Sequence, residues 1–161
     1  MILLPQPLLK QIVDAAEAAY PEECCGLVVG YAQPPQDLIV TRVEVSPNVT
    51  EENIGERFEV SPRLRLDVMR ALEGGPERIL GHFHSHPDHP AQPSPRDLER
   101  AWEPDLVWLI VSVLDGQAIH TTAHVLDGEG RQFREISLRT TDWQPYGVRP
   151  AAANGREEEA S

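Results

Sequence analysis

Cysteine is scarce in this 161-residue sequence, and the two residues of this type, Cys24 and Cys25, are adjacent. Neighbouring residues of an extended strand point to opposite faces, so these thiols do not provide a disulfide framework. A chain of this length buries a sufficient core without disulfides or a structural metal. The composition therefore predicts a single domain with reduced thiols, as is typical of cytosolic proteins.

Long apolar runs and a surplus of basic residues are also missing. No stretch of eighteen apolar residues occurs, and the opening MILLPQPLLKQ has neither the basic start nor the apolar centre of an export signal. There are 26 acidic and 14 basic residues, which gives a formal charge of −12. This charge repels phosphate backbones and anionic lipids. We therefore expect a cytoplasmic protein without a nucleic-acid or membrane partner, whose acidic residues form a solvated surface.

Two main helices are predicted from the spacing of apolar residues. Between Pro7 and Tyr20 these residues recur at helical spacing, and Pro21 ends the pattern. The second helix has Ser61 as N-cap and Pro62 at its first position, and it ends at a pair of glycines. Its apolar face is predicted to consist of Leu64, Val68, Met69 and Leu72.

The other apolar or alternating runs predict strands. CCGLVVGYA and DLIVTRVEVSP are separated by a short proline-containing turn, which favours a hairpin. ILGHFHSH alternates residue by residue, and DLVWLIVSVLDG is typical of a buried strand. AIHTTAHVLDGEGRQFREISL is typical of a hairpin about its DGEG turn.

The element order αββαβ, short helix, βββ predicts an α+β fold for residues 1–142. From Trp143 to Ser161 the chain turns to Pro, Gly, Ala and charged residues. Such a composition buries too little apolar surface to order itself, so this segment is predicted to be a flexible C-terminal tail.

Four of the six histidines lie in one segment, GHFHSHPDHPAQPSPRD, which runs from Gly81 to Asp97. Residues i and i+2 of a strand share a face about 6.6 Å apart, so His82, His84 and His86 are predicted to point the same way. Two imidazoles at this spacing can bind one cation, because zinc–nitrogen bonds are about 2.0 Å long. Additional ligands must complete the site.

One way to complete it uses HxHxDH, formed by His84, His86, Asp88 and His89, which resembles the motif of metallo-β-lactamase-fold hydrolases. That fold requires a chain much longer than this one, and its further metal ligands lie downstream of the motif. Only residues 90–161 follow the motif here. Chain length therefore disfavours this interpretation.

The other way extends HSHP to Ser94 and Asp97, as HSHPx(6)SxxD. Taken alone, serine followed by proline and then an acid is also an ordinary helix N-cap pattern. With PEECCGLVVG on an upstream strand, however, the chain resembles the JAMM/MPN+ metallopeptidases, whose pattern is ExCG, HxHP, then SxxD. The similarity extends from about Leu8 to Leu138.

The resemblance implies the JAMM/MPN, cytidine deaminase-like fold. This is a three-layer α/β/α-like arrangement with a mixed central β-sheet, two main helices and a short helix that carries Asp97. It also implies one Zn²⁺ held by His84, His86 and Asp97, with a water as fourth ligand. Zinc lowers the pKa of such a water from 15.7 to roughly 7.

Catalytic roles follow from the same resemblance. Glu23 corresponds to the glutamate of the pattern and acts as general base and acid, while Glu22 falls outside it. Ser94 steadies the developing oxyanion. Cys25 is expected to be a buried packing residue rather than a nucleophile, because no basic partner is near it in sequence. His82 and His89 receive no role.

The chain is most similar in layout to compact prokaryotic members of the family. The resemblance implies hydrolysis of the bond after the C-terminal Gly-Gly of a small ubiquitin-like or sulfur-carrier protein, which is then the partner. An extended Gly-Gly tail can add beside a sheet edge and pass a narrow groove. A catalytically inactive MPN-type scaffold is the alternative within the family, and the complete set of motif residues disfavours it.

Overall fold

A computed structural model describes residues 1–51, 55–101, 103–128 and 131–142. The predicted tail from Trp143 to Ser161 lies outside the described residues. The elements are β1 (Ile2–Pro5), α1 (Gln6–Ala19), β2 (Cys25–Gln33), β3 (Asp37–Ser46), α2 (Pro62–Ala71), β4 (Arg78–Pro87), α3 (Pro95–Arg100), β5 (Val107–Leu114), β6 (Gln117–Asp127), β7 (Gln132–Ile136) and β8 (Leu138–Thr141).

The strands form one mixed eight-stranded sheet in the order β7-β6-β5-β4-β2-β3-β1-β8. The pairs β1–β3, β1–β8 and β4–β5 are parallel, and the other pairs are antiparallel. The two predicted hairpins, β2–β3 and β6–β7, are confirmed. The sheet is mixed because the elements between β1 and β3 and between β4 and β5 return the chain in its original direction.

Helices cover both faces of this sheet, as side-chain alternation along β2 shows. Val28 belongs to the apolar cluster that contains Leu8 and Ile12 of α1. Val29, the next residue, packs in a separate cluster with Val68 of α2. Successive strand residues point to opposite faces, so α1 and α2 lie on opposite sides. The predicted three-layer α+β arrangement is confirmed. Among the described helices, none is long and apolar enough to cross a membrane.

Helix α2 begins as predicted but buries a narrower face than expected. The Ser61 hydroxyl accepts a hydrogen bond from the Leu64 N–H, as an N-cap residue does. Val68 is 3% exposed, but Met69 is 52% exposed, so its assignment to the buried face was wrong. Adjacent helical residues point about 100° apart, and only the Val68 side of the helix contacts the sheet.

Two short strands were not predicted from the sequence. β1 and β8 have four residues each, and β1 runs directly into α1. β1 lies between β3 and β8, so its backbone hydrogen bonds are made with residues distant in sequence. Four residues are too few for periodicity to distinguish a strand from the start of the following helix.

Candidate active site

Pairing of β2 with β4 brings the PEECCG and HSHP segments together. The antiparallel register places Cys25 opposite His84. Just before β2, the Cys24 N–H donates to the Ser85 hydroxyl at 2.8 Å, and the Ser85 N–H donates to the Cys24 carbonyl at 3.1 Å. Glu23 is therefore held beside the end of β4, although these segments are 61 residues apart in sequence.

The glycine of the CCG sequence allows this close pairing. A Cβ atom at Gly26 would lie 2.3 Å from the Glu44 carbonyl oxygen and 2.3 Å from the ring of Phe83. A side chain at this position would therefore clash with β3 and with the aromatic ring on β4. Close packing of β2 in the sheet explains why glycine follows the cysteines.

Two histidines of β4 and one aspartate of α3 direct their polar atoms at one another. The two Nε2 atoms of His84 and His86 are 2.9 Å apart. Asp97 places Oδ1 3.3 Å from the His84 nitrogen and Oδ2 3.3 Å from the His86 nitrogen. All three residues are buried. In a tetrahedral zinc site with bonds of about 2.1 Å, two ligand atoms lie roughly 3.4 Å apart. The two carboxylate–nitrogen distances match this value and the nitrogen–nitrogen distance is shorter, so these donors can hold a zinc-sized cation after a small adjustment.

A capping box at the start of α3 carries Asp97 into this cluster. The Ser94 hydroxyl accepts from the Asp97 N–H at 3.1 Å, and the Asp97 carboxylate accepts from the Ser94 N–H at 2.8 Å. The SPRD segment thus begins a helix with Ser94 as N-cap, as the ordinary capping pattern in the sequence predicted. The same cap places the aspartate against the two histidines, so the two interpretations are compatible.

Each histidine ring is held by a different contact. The Nδ1 atom of His86 lies 2.9 Å from the Pro90 carbonyl oxygen, to which only a protonated nitrogen can donate. When the ring is neutral, this bond leaves the His86 Nε2 lone pair facing the cluster, as is typical of metal-binding histidines. His84 instead stacks against the ring of Phe58, with centroids 4.2 Å apart and planes 14° apart. Trp108 meets His84 edge-on.

Electrostatics keep the cluster in a state suited to a cation. Burial acts to raise the pKa of Asp97, but hydrogen bonds with His84 and His86 outweigh it and hold this pKa well below its usual range. Burial lowers the pKa of His84. Burial also acts to lower the pKa of His86, but Asp97 and the Pro90 carbonyl raise it overall. At neutral pH the site thus combines an ionised carboxylate with a neutral imidazole at His84.

Glu23 lies beside the cluster and is 4% exposed. Donor atoms of Glu23, His84 and His86 all lie within 4.8 Å of one another. Burial, together with the negative charge of Asp97, raises the Glu23 pKa to about 7. Its buried Oε2 atom has no hydrogen-bond partner among the described residues. This carboxylate can therefore take up a proton near neutral pH or contribute to binding a cation.

The HxHxDH interpretation is not supported by the arrangement of its aspartate. Both oxygens of Asp88 are engaged elsewhere: Oδ2 accepts from the Tyr20 hydroxyl at 2.7 Å, and Oδ1 accepts from the Asp115 N–H at 3.1 Å. His89 is exposed. The structure brings Asp97, and not Asp88, against His84.

Two further residues singled out in the sequence lie behind the site. Burial lowers the pKa of His82 to about 3, and its ring meets Trp108 edge-on at 4.1 Å between centroids. Cys25 is fully buried, and burial raises its pKa to about 12, so it is a packing residue as expected. Neither group is available as a charged catalyst.

Two residues that shape the site were not predicted from the sequence. The Asn48 amide donates to the carbonyl oxygens of Glu23 and Arg57, and its oxygen accepts from the Glu59 N–H. Phe58, which stacks on His84, is thereby held in place. A lone phenylalanine in the polar segment NVTEENIGERFEV was a usable signal for a buried anchor. Asparagine after a strand is common in turns, so Asn48 gave no comparable signal.

An open pocket gives access to this cluster. Glu23, His86 and Ser94 line it together with Glu56 and Arg96. Four prolines also line it, namely Pro87, Pro90, Pro93 and Pro95. Buried ionisable groups with shifted pKa values in a concave pocket are typical of an active site.

The domain has three layers, and it combines a buried histidine–histidine–aspartate donor set with an adjacent buried glutamate. This geometry is that of a metal-dependent hydrolase. The family model described as prokaryotic homologs of the JAB domain matches residues 5–125, and the chain belongs to this family. JAB-type proteins depend on a metal, and the buried glutamate and histidines can bind one. The resemblance to JAMM/MPN+ proteins is thus confirmed.

Alignments with known relatives cover most of the chain. A desampylase of Haloferax volcanii is 32% identical over 131 residues, which cover 81% of this chain and 87% of the relative. A CysO-cysteine peptidase of Mycobacterium tuberculosis is 30% identical over 118 residues, 71% of this chain and 75% of the relative. The solution structure of a protein from Desulfitobacterium hafniense superposes with a TM-score of 0.78 at 27% identity, covering 94% of this chain and 100% of that one. These relatives identify the chain as a hydrolytic enzyme of the JAB family.

Proposed function

We propose that the chain is a cytoplasmic zinc peptidase that hydrolyses the peptide or isopeptide bond after the C-terminal Gly-Gly of a small ubiquitin-like or sulfur-carrier protein. The observation that carries this proposal is the buried carboxylate of Glu23 beside the cluster of His84, His86 and Asp97. The names of two relatives, desampylase and CysO-cysteine peptidase, support the substrate class.

His84, His86 and Asp97 would hold the zinc ion. Nitrogen and oxygen donors of this kind are those that zinc prefers, and three protein ligands leave one position open. When bound, zinc lowers the pKa of water to roughly 7 and polarises a carbonyl group. The hydrogen bond from His86 to the Pro90 carbonyl orients one ligand ring, and the α3 capping box orients the carboxylate.

Glu23 would move the proton that the reaction transfers. Its carboxylate accepts a proton from the attacking water as the oxygen–carbon bond forms, and it donates this proton to the amine nitrogen as the carbon–nitrogen bond breaks. A pKa of about 7, raised by burial, suits both steps at neutral pH. The buried and unpartnered Oε2 atom supports this role, because no protein group competes for it among the described residues.

Ser94 would stabilise the oxyanion that develops on the substrate carbonyl. Its oxygen already accepts a hydrogen bond from the Asp97 N–H, so its own hydroxyl proton can be donated into the pocket that it lines. Rigid prolines line this pocket, and we expect an extended tail without side chains to pass between them with the fewest clashes. A Gly-Gly sequence meets that requirement.

The proposal is tested with zinc-loaded protein and a Gly-Gly-terminated carrier protein conjugated to an amine. Mass spectrometry is expected to show the free carrier, cleaved after its second glycine. A chelator should abolish the cleavage, and one equivalent of zinc should restore it. Intact conjugates after incubation with protein that holds one zinc per chain would refute the proposed substrate class.

Replacement of Ser94 by alanine separates its two roles. Loss of an oxyanion donor is expected to lower kcat about 100- to 1000-fold. Loss of the N-cap is expected to lower the free energy of unfolding by about 1 kcal/mol. Ser61→Ala is the matched control, because Ser61 also caps a helix and precedes a proline but lies at α2. It should show the same loss of stability with unchanged kcat; equal kcat in the two variants would remove Ser94 from catalysis.

A further inference from the structure

An arginine and a glutamate form an ion pair at the mouth of the catalytic pocket. Arg96 lies between Ser94 and Asp97 in the chain, in the first turn of α3, and its Nη1 atom lies 2.8 Å from Oε2 of Glu56. Their side chains are 45% and 51% exposed. Both residues line the pocket that also contains Glu23 and Ser94.

Such an ion pair is easily exchanged for another. Exposed pairs contribute little to stability, because water and salt screen them and two long side chains lose freedom. A guanidinium group retains its charge at any physiological pH and binds carboxylates through two parallel hydrogen bonds. Glu56 thus shows which chemical group Arg96 binds at this position: a carboxylate. A substrate carboxylate that enters the pocket can take the place of Glu56.

The leaving group of the proposed reaction determines whether such a carboxylate is present. When the leaving amine is a free amino acid, its α-carboxylate is separated from the scissile nitrogen by a single carbon atom. When the leaving amine is a lysine side chain of another protein, no carboxylate lies near that nitrogen. Arg96 shares its pocket with Glu23, which the proposed mechanism places at the leaving nitrogen. The Arg96 guanidinium can therefore distinguish a free amino acid from a lysine side chain as the leaving group.

We infer that Arg96 binds the α-carboxylate of a free amino acid as leaving group, and that Glu56 holds the guanidinium in place until the substrate arrives. The preferred substrate is therefore a carrier protein whose Gly-Gly terminus is extended by one amino acid, rather than a carrier joined to a protein lysine. This inference rests on the proposed function and adds the identity of the leaving group to it.

Two substrates that differ only in the terminal charge test this inference. One is a Gly-Gly carrier protein extended by cysteine, and the other is the same protein with the cysteine as its carboxamide. The zinc-loaded protein is expected to cleave the carboxylate form with a kcat/KM about 10-fold higher, mainly through a lower KM, because a charge-assisted hydrogen bond is lost in the amide. Both substrates contain the thiol, so its affinity for zinc cancels.

Variants of the pair then assign the preference to Arg96. In Arg96→Ala the ratio of the two kcat/KM values should fall to about 1, and any general loss of activity cancels in this ratio. In Glu56→Gln the KM for the carboxylate form should decrease, because the competing charge is gone. Arg65→Ala is the control, since Arg65 forms a similar exposed pair with Glu103 at 3.1 Å, lining a different pocket. It should leave the ratio unchanged.

The outcomes separate this inference from the proposed function. Equal cleavage of both substrates by the unmodified protein, or an unchanged ratio in Arg96→Ala, would overturn the role of Arg96 and leave the proposed function standing. Failure of the zinc-loaded protein to cleave either substrate, with cleavage of a carrier joined to a lysine side chain, would overturn the inference alone. Failure on all three would overturn both. A preference that disappears in Arg96→Ala and persists in Arg65→Ala would support the inference.

Discussion

Glu23→Gln is expected to retain one zinc per chain and to lose about three orders of magnitude or more in kcat. Glutamine has nearly the same shape as glutamate but cannot accept and release a proton, and general acid–base catalysis contributes about 100- to 10,000-fold in rate. Metal analysis and steady-state kinetics on a Gly-Gly conjugate measure the two quantities. KM should change little, because the carboxylate acts on the proton and not on the substrate's binding groups.

Glu22→Gln is the matched control for this variant. Glu22 is the adjacent acid of the same PEECCG segment, but its side chain is exposed whereas Glu23 is buried. Its replacement should change neither zinc content nor kcat. Loss of zinc in Glu23→Gln would instead make Glu23 a metal ligand, which its position within 4.8 Å of both histidine donors allows. Substantial residual cleavage with zinc bound would exclude Glu23 from the mechanism.

Asp97→Ala is expected to lose both zinc and activity. The carboxylate lies 3.3 Å from each histidine nitrogen, and its removal leaves two neutral or partly protonated imidazoles to hold a divalent cation. We expect zinc affinity to fall by more than the roughly 10- to 100-fold that a residue outside the ligand set typically costs. Titration of metal-free protein with zinc in the presence of a competing chelator measures this change.

Two further variants control for folding and for the alternative motif. Asp97→Asn retains an oxygen that can accept from the Ser94 N–H, so α3 should remain capped while the charge is lost. It should also fail to hold zinc. Asp88→Ala and His89→Ala should bind zinc almost normally, because Asp88 bonds to Tyr20 and His89 is exposed. Zinc loss in Asp88→Ala with retention in Asp97→Asn would reverse the assignment in favour of HxHxDH.

Local patterns predicted much of the fold correctly. The serine–proline pairs at Ser61 and Ser94 both mark the starts of helices, because an N-cap hydroxyl and a proline at the first position act on residues only a few places away. The predicted hairpins are present for the same reason, since their strands are joined by short turns. Met69 was assigned wrongly because spacing identifies a helical face but not its width.

Local patterns also predicted part of the candidate site, and the fold determined the rest. The i, i+2 spacing of His84 and His86 on a strand follows from backbone geometry, and so these two side chains were predicted to share a face. Chain length and the family resemblance favoured Asp97 over Asp88 as their partner. The folded chain adds the geometry, because the Asp88 carboxylate bonds to Tyr20 and Asp115, whereas the α3 cap carries Asp97 to the histidines.

By itself, then, the sequence determined the two hairpins, the serine-capped starts of α2 and α3, the shared face of the strand histidines and the family. The tertiary structure decided that β1 and β8 complete the sheet, and that Phe58 stacks on His84. It also decided that Glu23 lies beside the cluster. The physical reason is the sequence separation over which each interaction acts. Capping, turns and strand alternation are set by covalent geometry over a few residues. The position of Glu23 depends on the register of β2 against β4, which packing of the whole sheet selects.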